Sequence, residues 1–163
     1  MTDIATAHTP APEAGGEFQG SSVPRVLIGT DLVAVKRVET LLAGRAELAQ
    51  QVFTARELAY CASRKRRCLD HLAARFAAKE AVMKALGTGA GVAWSDIEVV
   101  NSIDGRPEIR LHGRAAALAR HRGVGQIEIS LTHTEGLAMA YAVLICSGEA
   151  PGPARDDDQP PQD

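Results

Sequence analysis

Asp70-His-Leu-Ala-Ala-Arg-Phe-Ala-Ala-Lys-Glu-Ala-Val-Met-Lys-Ala-Leu-Gly87 is the most regular pattern in the chain. At 100° per residue, Leu69, Leu72, Phe76, Met83 and Leu86 fall within an arc of roughly 100°, the apolar stripe of a helix that buries one face. Asp70 is placed to cap this helix and Gly87 to stop it. Lys79 lies inside the arc, Glu80 on its rim, and Lys84 one turn beyond Glu80. Ala73, Ala77 and Ala81 form the adjoining stripe, which permits close approach of another backbone. An ionised carboxylate at the rim of a buried face is costly unless it is paired or bound to a cation. Two readings fit Glu80: an i,i+4 ion pair with Lys84, worth a few tenths of a kcal/mol, or a ligand to a cation.

Towards the N-terminus, Arg64-Lys-Arg-Arg67 reads as a solvated charge run or as an anion site. Before it, Thr54-Ala-Arg-Glu57 is a capping box that opens a helix reaching about Ser63. Val26-Leu-Ile28 is a short strand broken at Gly29, and 3–4 spacing of apolar residues predicts a helix over Val33–Leu42, stopped by Gly44. Asp31 follows the strand, either as N-cap of that helix or as a second cation ligand. Carboxylates converging from a strand end and a helix suit Mg²⁺, a hard cation that takes oxygen ligands and substrate phosphates. Towards the C-terminus, residues 96–101 read as a strand, Asp104-Gly105 as a hairpin turn, and Glu108–Leu111 as the return strand. Gly113–His121 reads as a helix, and Gln126–Thr132 with Leu137–Ile145 as a last hairpin around His133–Gly136. The expected class is α+β, a mainly antiparallel sheet packed against a long helix.

Composition sets the bounds. The chain has 163 residues, of which 45% are apolar, 23% charged and 4% aromatic, with a net charge of −2. One domain is expected, over residues 25–146, with a disordered leader at 1–24 and a disordered acidic tail at 147–163. Residues 25–146 keep 17 of the 18 bases but only 12 of the 20 acids, so the expected domain favours anionic ligands or acidic partners. The ten-residue apolar run Leu137–Cys146 is too short to span a bilayer, and residues 1–24 lack the basic and apolar parts of a signal peptide. Cys61, Cys68 and Cys146 suit a reducing cytoplasm. With His71, two of them match no common zinc spacing. Gly87-Thr-Gly-Ala-Gly91 follows a helix, which excludes both a dinucleotide fingerprint and a P-loop. Few aromatic residues argue against nucleic-acid binding.

Taken in order, Ile28-Gly-Thr-Asp-Leu32, Arg75-Phe-Ala-Ala-Lys-Glu-Ala81, Lys84-Ala-Leu-Gly-Thr-Gly89, Trp94-Ser-Asp-Ile-Glu98, Gly105-Arg-Pro107 and Ser130-Leu-Thr-His133 resemble the holo-acyl-carrier-protein synthases. These are the small class of 4′-phosphopantetheinyl transferase. The resemblance covers about residues 25–146 and implies transfer of 4′-phosphopantetheine from coenzyme A to a serine of apo acyl carrier protein, releasing 3′,5′-ADP. It implies Mg²⁺ ligation by Asp31 and Glu80, with Lys84 on the pyrophosphate and Glu80, or a metal-bound hydroxide it orients, as base. Arg66, Arg75, Gly87, Thr88, Gly105, Arg106, Pro107, Thr132 and His133 match coenzyme A-binding positions, and Lys36, Arg37 and Arg45 are available to receive the acidic carrier. The larger transferase class carries an Asp-x-Glu pair after its first strand; here Asp31 is followed by Leu32-Val33. That places the chain with the small class, which implies a homotrimer with its active sites at subunit interfaces. Burial of Lys79 against a neighbour would fit such an assembly. The alternative is a catalytically silent coenzyme A- or nucleotide-binding module of the same fold.

Overall fold

The computed structural model describes residues 24–87 and 91–147. The expected leader and acidic tail, and Thr88, lie outside the described residues apart from Pro24 and Ser147. Strand β1 (Arg25–Ala34) leads into helix α1 (Val35–Leu42), followed by α2 (Ala46–Val52) and α3 (Ala55–Ser63). A 3₁₀ turn (Lys65–Arg67) precedes the long helix α4 (Cys68–Ala85). A second 3₁₀ turn (Trp94–Asp96) opens the hairpin β2 (Ile97–Asn101) and β3 (Pro107–Leu111); α5 (Gly113–His121), β4 (Val124–Thr134) and β5 (Leu137–Cys146) follow. The strands form an antiparallel sheet in the order β1-β5-β4 and a separate β2-β3 pair. Helix α4 lies across the inner face of the three-stranded sheet, and β3 runs beside β4.

Gly29 does not break β1. The strand continues for ten residues in register with β5, from Arg25 opposite Cys146 to Ala34 opposite Leu137. The glycine serves a close approach: a Cβ there would overlap the carbonyl oxygen of Ala81 and lie 2.8 Å from the Ala85 nitrogen. Across the interface β5 presents Ala138, Ala140 and Ala142 to the helix, and α4 presents Ala73, Ala77, Ala78 and Ala81, all at most 1% exposed. Small side chains on both surfaces bring the helix backbone onto the sheet.

Three further differences have local causes. Helix α1 begins at Val35 with Ala34 as its N-cap, so Asp31 stays within the strand and caps nothing. Helix α4 begins at Cys68, which puts Asp70 inside its first turn, where its charge favours the helix N-terminus. The helix is also buried around most of its circumference: Arg75 and Lys79 join its core residues, whereas Leu69 faces out. The capping box at Thr54 is present, and Gly105 (φ +87°) makes the hairpin turn as expected.

Lys79 is fully buried within this one chain. Its Nζ sits 2.8 Å from Glu57 Oε2 and donates to the carbonyls of Trp94 (3.0 Å) and Ile97 (2.5 Å). Glu57, the closing residue of the capping box, also accepts from the amides of Thr54 (2.8 Å) and Val99 (3.0 Å). Burial pulls the Lys79 pKa below its ordinary value against the opposing pull of Glu57. The pair therefore joins α3, α4 and β2 inside one subunit, correcting the expectation that a neighbour covers Lys79.

Candidate active site

The strand alternation of β1 turns Leu27, Gly29, Asp31 and Val33 towards α4 and leaves Val26, Ile28, Thr30 and Leu32 outside. Asp31 thereby reaches the flank of the helix where Lys84 emerges. Lys84 Nζ lies 2.8 Å from Asp31 Oδ1 and donates to the Thr30 carbonyl at 3.1 Å. Of the two readings of Glu80, the ion pair with Lys84 does not form, because Lys84 is spent on the strand. Glu80, one turn earlier, is half-buried and makes no hydrogen bond or ion pair with the described residues. A half-buried carboxylate with no partner among the described residues, one helical turn from a lysine that engages Asp31 through one oxygen, is a donor set that fits a hard cation. No group of three or more His, Cys, Asp or Glu among the described residues could hold a metal by itself, so substrate or solvent oxygens would complete its shell. Gly87 (φ +58°) stops the helix beyond Lys84, with the Arg122 guanidinium packed against it.

The N-terminal half of α4 carries a second cluster. Arg75 is 3% exposed; its guanidinium donates to Asn101 Oδ1 (2.8 Å) and lies 4.2 Å from the Tyr60 ring centre. Its Nε is buried with no hydrogen-bond partner among the described residues. Tyr60, His71, Arg75, Gly105, Pro107 and His133 are among the residues lining a cleft of about 220 Å³. Arg67 reaches its edge, with Nη2 3.1 Å from His133 Nε2. Burial, then the neighbouring Arg75 and His133, lower the pKa of His71 below its ordinary value. The helix axis advances roughly 20 Å from His71 to Lys84 but only about 7.5 Å from Arg75 to Glu80, at 1.5 Å per residue, so the two clusters occupy the two halves of α4.

The remaining expected residues are dispersed. Thr132 faces away from His133, onto the outer sheet surface with Leu32, Leu137 and Met139. Arg66 is exposed on the 3₁₀ turn outside the cleft lining, and Arg106 is exposed beside Asp104 (3.5 Å). Lys36, Arg37 and Arg45 do come together, around a groove of about 460 Å³ floored by Val38, Leu41 and Phe76. Sequence reasoning missed Arg67, Tyr60 and Asn101. The basic run signalled an arginine at this place, but only the 3₁₀ turn selects which one faces His133.

Comparison with known proteins places the chain among its relatives. The model of the 4′-phosphopantetheinyl transferase superfamily matches residues 27–142. The holo-[acyl-carrier-protein] synthase of Moorella thermoacetica is 48% identical over 120 residues, 73% of this chain and 93% of that protein. Among solved structures, holo-ACP-synthase from Plasmodium yoelii superposes with a TM-score of 0.68 at 27% identity, covering 78% of this chain and 100% of its own. The Bacillus anthracis holo-(acyl-carrier-protein) synthase in complex with CoA (3′,5′-ADP) superposes at 0.63 with 31% identity, covering 77% and 100%. The chain belongs to the holo-[acyl-carrier-protein] synthase family of the 4′-phosphopantetheinyl transferase superfamily.

Proposed function

We propose that this chain transfers 4′-phosphopantetheine from coenzyme A to a serine hydroxyl of apo acyl carrier protein, with Mg²⁺ and release of 3′,5′-ADP. The observation that carries the reading is Glu80, a half-buried carboxylate with no partner among the described residues, one turn along α4 from Lys84 of the Asp31–Lys84 pair. Asp31 and Glu80 would hold the cation, which supplies charge neutralisation on the pyrophosphate. Lys84, half-exposed and already oriented by Asp31 and the Thr30 carbonyl, is placed to bind the pyrophosphate and stabilise the leaving 3′,5′-ADP. Glu80 is the candidate base that accepts the serine proton as the hydroxyl oxygen attacks phosphorus and the bond to 3′,5′-ADP breaks. The Arg75 and Arg67 guanidiniums and the His133 imidazole would bind the nucleotide's phosphates, with the Gly105–Pro107 turn beside them. The Lys36–Arg37–Arg45 groove would receive the acidic carrier helix.

The assembly we infer is a homotrimer whose active sites lie between subunits. The two clusters occupy different halves of α4, and Thr132 lies on the other side of the sheet from both. The outer sheet face also exposes Val26 (47%), Ile28 (66%), Leu32 (59%) and Tyr141 (49%), an apolar surface suited to a neighbouring copy. Intact-mass spectrometry of an apo acyl carrier protein incubated with this chain, coenzyme A and Mg²⁺ tests the reading. A gain of one phosphopantetheine mass, abolished by EDTA, is expected; binding of coenzyme A without any gain would instead identify a silent binding module.

A further inference from the structure

The cleft at the N-terminal end of α4 gathers guanidinium and imidazole groups from several elements. Arg75 of α4 and His133 of β4 line it, Arg67 of the 3₁₀ turn reaches its edge beside His133, and Arg64 at the end of α3 stands over the Tyr60 ring. The guanidinium carbons of Arg64 and Arg75 lie 4.7 and 4.2 Å from the Tyr60 ring centre. The nearby acids are already engaged: Asp70 lies 3.9 Å from Arg67 Nε, and Asp104 accompanies Arg106 on the hairpin. At the centre is His71, a residue with no part in the transfer chemistry above. Its ring meets Tyr60 edge-on at 5.7 Å and His133 at 5.9 Å, and it lines the same cleft as Arg75.

We propose that His71 is a proton-coupled contact for the anionic nucleotide: when a phosphate monoester seats among Arg67, Arg75 and His133, the His71 imidazole takes up a proton from solvent. This rests on the nucleotide reading of the cleft. Without an anion, burial and the facing Arg75, His133, Arg64 and Arg67 keep the imidazole neutral. A dianion among those groups reverses the local field and favours the imidazolium. Nucleotide affinity then gains strength as the pH falls, by up to about tenfold for each unit by which binding raises the pKa of His71. The competing role is a neutral aromatic spacer between Tyr60 and His133, which His71→Phe preserves while removing the proton.

The test is calorimetric titration of the full chain with 3′,5′-ADP at pH 7 in two buffers of different ionisation enthalpy, for the wild-type chain and His71→Phe. The phosphate itself titrates near pH 6, so the difference between the two proteins is the readout. The wild-type chain is expected to take up more proton on binding than His71→Phe, with affinity that falls more steeply between pH 6 and 8. Equal uptake with retained phosphopantetheine transfer overturns the role of His71 alone. Failure of the wild-type chain to bind 3′,5′-ADP overturns both this role and the nucleotide reading. Nuclear magnetic resonance titration of the His71 ring in the wild-type chain, with and without 3′,5′-ADP, needs no variant: a pKa that fails to rise on binding also overturns the proposal.

Discussion

Glu80 and Lys79 are neighbours in sequence with opposite fates. Lys79 turns inward to Glu57 and is fully buried; Glu80 is half-buried, one turn before Lys84, and has no partner among the described residues. The consequences of substitution should separate accordingly. Glu80→Gln should lower the transfer rate at least ~100-fold, the order expected when one preorganised charge contact is removed, with an unchanged thermal midpoint. Near-normal turnover would remove Glu80 from the mechanism. Lys79→Met strands the Glu57 carboxylate and should cost about 3–5 kcal/mol in urea unfolding. His71 sets a pH dependence of stability in the ligand-free chain. Its folded pKa lies below the ordinary 6.5, so the unfolded chain binds the proton more readily. Its contribution is therefore fully present above pH 6.5 and is lost as the pH falls through the folded pKa. His71→Phe should flatten this acid limb, as read by denaturant midpoints between pH 7.5 and 5.

At the scale of the elements, the closeness of α4 to the sheet positions the chemistry. Gly29 touches the helix backbone at Ala81 and Ala85, two residues before Asp31 and on the same strand face. Gly29→Ala should force the elements apart, destabilising the chain by about 1–3 kcal/mol. It should also weaken the Asp31–Lys84 contact, so that activity falls in solutions where the protein remains folded. Paired melting and rate measurements at one temperature check this; a variant that loses stability but keeps full activity would show that the spacing is structural only. Thr54 has a comparable double duty. Its side chain accepts from the Glu57 amide and donates to Glu98 Oε1 at 2.8 Å, so the cap of α3 also anchors β2.

At the scale of the whole molecule, sites shared between neighbouring subunits make assembly a requirement for catalysis in the reading proposed above. Leu32→Lys, on the exposed outer face of β1, should give monomers by sedimentation and abolish transfer without unfolding the chain. Mixing inactive Glu80→Gln and His133→Ala chains, with exchange of subunits, should restore roughly a quarter of the sites if each site draws one cluster from each of two neighbours. No recovery, with mixed trimers demonstrated, would place both clusters' functions within one subunit.

Much of this molecule is written locally. The capping box at Thr54, the helix 113–121, both hairpins and the long helix follow from residue periods and turn chemistry spanning a few positions. The ordered motifs also identify the family, because they preserve residue types at particular spacings. The sequence did not reveal what stands opposite each of those residues. Asp31 faces α4 only because β1 continues through Gly29 in register with β5, from a partner more than a hundred residues away. Lys79 meets Glu57, Lys84 meets Asp31 rather than Glu80, and Arg67 rather than Arg66 meets His133. Periods of 2 and 3.6 residues determine which side of an element a side chain occupies. The identity of the neighbour on that side depends on packing between distant segments, so these pairings were decided by tertiary structure alone.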